Sequence, residues 1–228
     1  MGTRPCDYYH LFEQPKILWP DIAKLPRFSW DECGMFINDT GFFLPTEDLS
    51  LLALLQSRVL WFIISQMSQP LRLRGGLWQY RLKTQFIERL PIPAVSPSER
   101  DALADLARTI TDCAGMRDNF HSGVRHRVSI DLSCSEAKLN QKLTAWWTLD
   151  FAAFRGEVQK ALKREIPVRE RDEWAAWLQE RREEHEQLTA EMVRLETELN
   201  ARVYELFDLS PAEITIIAES TKYRYGEV

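Results

Sequence analysis

The sequence predicts an α+β protein: a mixed strand and helix module over residues 1–95, followed by a mainly helical part over 96–228 that contains a long acidic helix. Three observations carry that expectation. Short apolar runs punctuated by Pro, Gly and Asn-Asp turns fill the first hundred residues. Two Ser-Pro-x-Glu starts, Ser96-Pro97-Ser98-Glu99 and Ser210-Pro211-Ala212-Glu213, open helical patterns. Between them, 172–207 lacks Gly and Pro and carries two apolar runs at spacings of three and four, Trp174 with Trp177 and Leu178, then Leu188, Met192, Leu195, Leu199, Val203 and Leu206.

Taken in order, Lys16-Ile17-Leu18-Trp19-Pro20 reads as a strand stopped by proline. Met35-Phe36-Ile37 and Phe42-Phe43-Leu44 flank the turn residues Asn38-Asp39-Thr40-Gly41, so a hairpin is expected. Thr46 is placed to cap a helix with Glu47 and Asp48 in its first turn, and 49–64 is apolar on nearly all sides, which predicts one buried helix. Gly75-Gly76 breaks the chain before Leu77-Trp78-Gln79-Tyr80-Arg81-Leu82, a predicted strand with basic and aromatic groups. Pro91-Ile92-Pro93 forces an extended segment at the expected domain edge. Val124 to Leu132 is read as strand or extended loop, and Phe151 to Leu162 as a short amphipathic helix. The spacing along the acidic helix fits a 3.6-residue period better than a heptad, so its apolar stripe is expected to pack within the chain.

Composition bounds the function. The chain has 228 residues, 45% hydrophobic and 28% charged, so it can bury a substantial core and is not disordered throughout. The longest apolar stretch is interrupted by Gln56, Ser57 and Arg58 and is too short for a bilayer, and the residues after Met1 do not read as a signal peptide. No membrane partner and a cytoplasmic location are therefore expected. Cys6, Cys33, Cys113 and Cys134 form no CxxC pair and are expected as reduced thiols; the four histidines form no HExxH, and no metal site is assigned.

Net charge is −5, but it is unevenly spread: +1 over 1–100, zero over 101–160 and −6 over 161–228. From Arg72 to Arg89, five basic residues are opposed only by Glu88. This is the densest cationic feature of the chain and the natural place for a phosphate backbone. A weaker basic patch, Arg117, Arg125, His126 and Arg127, is expected on a loop. GxSxG, the P-loop, GxGxxG after a strand and the Asn/Asp-Pro-Pro-Tyr/Phe tetrad are all missing from the sequence, so catalysis by this chain alone is not expected.

The order of motifs is more specific. Pro15 to Ile22, Pro26-Arg27-Phe28, Asn38-Asp39-Thr40-Gly41-Phe42-Phe43-Leu44-Pro45, the leucine-rich helix, Gly75-Gly76, and Lys83-Thr84-Gln85-Phe86-Ile87-Glu88-Arg89-Leu90-Pro91-Ile92-Pro93 follow one another. That order resembles the TaqI-like C-terminal specificity domain of adenine-N6 DNA methyltransferases, including fused restriction–modification enzymes. The tail, from Trp147-Thr148-Leu149-Asp150-Phe151 through 199–207 to 219–228, resembles the C-terminus of the same large enzymes.

The resemblance implies a target-recognition region that reads double-stranded DNA. Adenine methylation would then be done by a methyltransferase domain outside this chain, in cis or as a separate subunit. No cofactor is expected in this chain; S-adenosylmethionine is implied for the catalytic domain. The simplest expectation is a C-terminal piece of a longer polypeptide. The alternatives are a stand-alone specificity subunit that docks separate methyltransferase and nuclease chains, and a protein-interaction scaffold with no DNA binding.

The candidate DNA-binding residues are Arg27, Arg72, Arg74, Gln79, Tyr80, Arg81 and Lys83. Arg72, Arg74 and Lys83 suit phosphates; Arg74 or Arg81 suits guanine and Gln79 suits adenine, because their planar donor sets match those base edges. Trp78 and Tyr80 are either packing residues or stacking platforms, and Arg27 either contacts DNA or pairs with Asp31 or Glu32.

Overall fold

The computed structural model describes residues 8–132 and 138–227. The chain is α+β, with two small antiparallel sheets in its N-terminal half and long helices afterwards. It divides into two compact units, Met1–Thr111 with Val193–Val228, and Asp112–Met192. This line differs from the division expected at residue 95, because two long helices, α4 (Pro97–Asp131) and α7 (Arg171–Leu206), each supply residues to both units.

In the first unit, β1 (Lys16–Pro20) is the central strand of a sheet with β3 (Ser29–Asp31) and β4 (Gly41–Pro45) on either side. The expected hairpin between 35–37 and 42–44 does not form. Phe43 pairs instead with Leu18, so β4 spends its ladder on β1, and the Asn38–Gly41 turn only delivers the chain to that strand. Lys16 is fully buried and pairs with Asp31, whose carboxylate also accepts from the backbone amides of Cys33 and Met35.

The second sheet has the order β2-β6-β5, from β2 (Ile22–Ala23), β6 (Leu77–Arg81) and β5 (Pro70–Arg74). The chain passes from one sheet to the other at Asp21. Its amide donates to the Thr40 carbonyl at 2.8 Å and its carbonyl accepts from Leu82 at 2.7 Å. The Trp19 indole N–H donates to the Leu82 carbonyl at 2.9 Å, a second tie between the sheets, and the short helix α3 (Thr84–Ile87) follows.

The buried helix expected over 49–64 is two helices, α1 (Leu49–Gln56) and α2 (Arg58–Met67), bent by 64° at Ser57. Ser57 is buried and caps α2 by accepting from the Leu60 amide. Asp48, rather than Thr46, caps α1, while the Thr46 hydroxyl accepts from the Asp48 amide. Apolar side chains on both sides of the bend, Leu52, Leu60 and Ile64, are fully buried, and α2 packs on α8 (Pro211–Thr221). The Ser210 capping box of α8 is complete in both directions, and the Ser96 hydroxyl accepts from the Glu99 amide at the start of α4. No single helix among the described residues is long and apolar enough to cross a membrane.

In the second unit, the segment expected as strand or loop, 124–132, is helical to Asp131. Val124, Val128 and Leu132 fall at i, i+4 and i+8 and enter a core with Trp146, Phe154 and Leu178, a face that only the helical period can bury. Short helix α5 (Gln141–Thr144) and α6 (Phe151–Leu162) complete it. Glu157 on α6 joins them: hydrogen bonds from Lys142 and Lys160, with one from Asn140, pull its carboxyl down to about 2. Of the cysteines, Cys33 is exposed and Cys113 buried; Cys6 and Cys134 lie outside the described residues.

Candidate nucleic-acid interface

Residues 70–81 form a two-stranded ribbon, and its turn explains the glycines. Arg74 pairs with Leu77, leaving Gly75 and Gly76 as a two-residue loop with φ of +61° and +79°. Two successive left-handed residues make the hairpin turn whose twist matches paired strands, and glycine takes that conformation without a Cβ penalty.

Register then sorts the side chains. Arg72 lies opposite Gln79 and Arg74 opposite Leu77, while Leu73 lies opposite Trp78. Since side chains alternate along a strand, Arg72, Arg74, Gln79 and Arg81 share one face of the ribbon. The other face carries Leu73, Trp78 and Tyr80. Ala23, paired with Tyr80, is buried, and the Tyr80 ring meets Trp61 edge-on at 5.9 Å, so this second face turns inward at Tyr80, while Leu73 and Trp78 nearer the turn are exposed. Burial pushes the Tyr80 hydroxyl up from its ordinary range. The end of α8, at Ser220, Thr221 and Lys222, lines a small pocket with Tyr80, Trp78 and Trp61 on that inner side. Arg72, Arg74 and Arg81 are exposed.

Pairing on the outer face is uneven. The Arg72 Nε donates to the Gln79 side-chain oxygen, so the amide nitrogen is the donor of that side chain. At the base of the ribbon Asp21 holds both Arg81, at 2.9 Å, and Lys83, at 3.1 Å. Both cations remain roughly two-fifths exposed, so these pairs hold their partners weakly and can be exchanged for a phosphate. The Lys83 ammonium also sits 5.3 Å from the Phe42 ring centre. Arg74 has no such anchor among the described residues and stands beside the glycine turn. Ser68 pins the base from below: its hydroxyl donates to the Arg81 carbonyl and accepts from the Arg81 amide.

Of the residues singled out in the sequence, the structure brings Arg72, Arg74, Gln79, Arg81 and Lys83 to one ribbon and its base. Tyr80 belongs to the same strand but faces inward. Arg27 is exposed on the loop after β2, away from the ribbon's ladder; Asp31 is taken by Lys16, and Glu32 accepts from the Trp30 indole, so the ion pairs expected for Arg27 do not form. The weaker basic patch is on helix α4 rather than a loop, and it belongs to the second unit. There Arg125 donates to the Thr144 carbonyl and Arg127 pairs with Asp131. Asp21 and Ser68 were not picked out from the sequence. Their partners lie 60 and 13 residues away, and only the Pro20 stop before Asp21 marks it.

Residues 96–203 match a family described as a domain of unknown function (DUF8810). The match begins at the Ser96 helix start and includes the whole second unit; the ribbon lies outside it. No curated protein matches the chain.

Proposed function

We propose that this chain is a sequence-specific DNA-recognition region that directs adenine-N6 methylation by a methyltransferase domain outside these residues. The single observation that supports this reading is the shared outer face of Arg72, Arg74, Gln79 and Arg81 on a two-stranded ribbon ending in glycines. A ribbon of this kind has the width of the DNA major groove, where Arg donates two hydrogen bonds to guanine and Gln pairs with adenine. Arg74, next to the turn, is the base-reading arginine; Arg72 and Lys83 hold phosphates, and Arg81 exchanges Asp21 for one. The bareness of Gly75 and Gly76, which have nothing within 4 Å of where a Cβ would be, lets the backbone approach the duplex. The motif order along 15–93 and the resemblance it carries agree with this use. S-adenosylmethionine belongs to the catalytic domain, no cofactor is assigned to these residues, and the location is cytoplasmic.

Fluorescence anisotropy on random and selected duplexes across a salt series tests the reading. Each phosphate contact contributes about 0.9 to the slope of log affinity against log salt, so Arg72→Ala should lower that slope by roughly one at all sequences. Arg74→Ala should instead cost about 1–3 kcal/mol on the preferred sequence and flatten discrimination. Unchanged binding and preference in both variants would remove the ribbon from the interface.

A second reading, a protein-docking module, is favoured by one observation: Leu73 and Trp78, on the ribbon face opposite the arginines, are 57% and 47% exposed. Light scattering that shows a defined oligomer, together with indifference to DNA at low salt, would select it.

A further inference from the structure

The second unit holds a cleft of about 330 Å³ lined by Arg127 and Asp131 of α4, Glu170, and Glu173, Trp174 and Trp177 of α7. We propose that this cleft binds an organic cation with an alkylammonium head group.

Its walls have the right chemistry for such a group. Trp174 and Trp177, three apart on one helix face, stand 5.1 Å apart between ring centres with their planes at 80°, edge to face in a right-angled corner, and both line the cleft. Indole faces are negative and attract a poorly hydrated cation, most strongly where two faces meet. Phe154 stacks on Trp174 at 6.4 Å and holds that wall in place. Three carboxylates, Asp131, Glu170 and Glu173, and one guanidinium, Arg127, line the opening, so a positive guest is favoured over a neutral or negative one.

The cleft already shows its preference internally. The Arg127 guanidinium lies 5.5 Å from the Trp177 ring centre and pairs with Asp131 at 3.0 Å, so one wall and one carboxylate serve a cation of the chain itself. That pair is exposed, 60% at Arg127 and 41% at Asp131, and is therefore easily displaced. Glu170 accepts from Arg169 at 3.3 Å, while Glu173 has no ion-pair partner among the described residues, which leaves it for the guest. A carboxylate in the first turn of α7 suits the helix end without any ligand, but the helix end does not require an aromatic corner beside it. Among the described residues no three His, Cys, Asp or Glu side chains lie close enough together to hold a metal ion, so an organic cation fits these walls better than a bare one.

Isothermal titration of the full chain with choline, set against its neutral isostere 3,3-dimethylbutan-1-ol, tests the proposal, with circular dichroism to confirm that each variant is folded. Choline should bind saturably, with a dissociation constant of roughly 1 mM or below, and the alcohol at least about tenfold more weakly. Glu173→Gln should weaken choline by roughly fivefold and Trp177→Leu by about tenfold or more. Arg127→Gln removes the internal competitor and should tighten binding by roughly threefold to fivefold. A purely structural Arg127 would give no tightening. No saturable binding by the folded protein, equal binding of the alcohol, or an Arg127→Gln variant that binds no better would each overturn the proposal.

Discussion

His121 Nε2 and His185 Nδ1 face each other at 2.9 Å, and both rings stack on Trp147, at 4.1 Å and 4.9 Å between centres. One ring must donate and the other accept, so at least one imidazole is neutral, and the burial that lowers both pKa values favours the fully neutral pair. It joins α4 to α7 within the second unit.

Acid should therefore weaken that unit. Burial lowers the His121 pKa to about 4; His185, Arg125 and Arg117 add to the effect and Asp118 opposes it. Burial also lowers His185, with Arg117 adding and Glu186 opposing. A histidine whose folded pKa lies below its unfolded value of about 6.5 binds more protons when unfolded. Its stabilisation is complete above pH 6.5 and is lost as pH falls towards 4, by an amount on the order of 3 kcal/mol for His121. Urea midpoints followed by tryptophan fluorescence at pH 7.5, 5.5 and 4.5 should fall in that order. His121→Leu should flatten the dependence; an unchanged slope in that variant would place the acid sensitivity elsewhere.

Lys16→Met should be severely destabilising. Burial raises the Asp31 pKa, but the hydrogen bonds from Lys16 and from the Met35 and Cys33 amides outweigh it and hold the carboxyl below its ordinary range. Removing the lysine strands that buried carboxylate, at a cost of about 3–5 kcal/mol. Because the folded Asp31 pKa is depressed, the contribution is present above about pH 4 and disappears on further acidification. Chemical denaturation of the variant at pH 7 should show the loss, and below pH 4 the gap from the parent protein should narrow.

Arg58→Ala should detach the C-terminal segment. The guanidinium lies 4.0 Å from the Tyr225 ring centre and 4.9 Å from that of Tyr223, and donates to the Tyr223 carbonyl at 2.6 Å. The Arg58 amide donates to the Asn200 side chain at 2.8 Å. Losing the desolvated cation–π contacts and a charged hydrogen bond should cost roughly 2–4 kcal/mol. Faster amide exchange of 222–227 is the direct readout, and no change there would show the segment to be held by other contacts.

Ala at Gly75 or Gly76 should loosen the ribbon without unfolding the molecule. Nothing crowds the missing Cβ, so the cost is conformational alone, about 1–2 kcal/mol per position, and Asn should recover part of it. Hydrogen exchange of 70–81 should quicken while the global denaturation midpoint hardly moves.

Some elements were legible because their causes are local. The Lys16–Pro20 strand, the Phe151–Leu162 helix, the Ser210 capping box and the glycine break need only neighbours in sequence. The misread elements depended on distant partners. Phe42–Leu44 found Leu18 and its neighbours rather than the nearby Met35–Ile37, and a single serine bent an apolar run that reads as one helix. The stretch 124–132 mixes apolar and basic residues and reads as extended until Trp146 and Phe154 give its helical stripe something to cover.

By itself the sequence determined the class of fold, the positions of its turns and caps, and the clustering of positive charge around a Gly-Gly break, since all of these follow from short-range sterics and composition. Only the tertiary structure decided which arginines share a face, that Asp21 restrains Arg81 and Lys83 while Arg74 is exposed beside the glycine turn, and that Trp174 and Trp177 meet Arg127 in a cleft. Those relations depend on strand register and helix packing, which are set by burying whole faces at once.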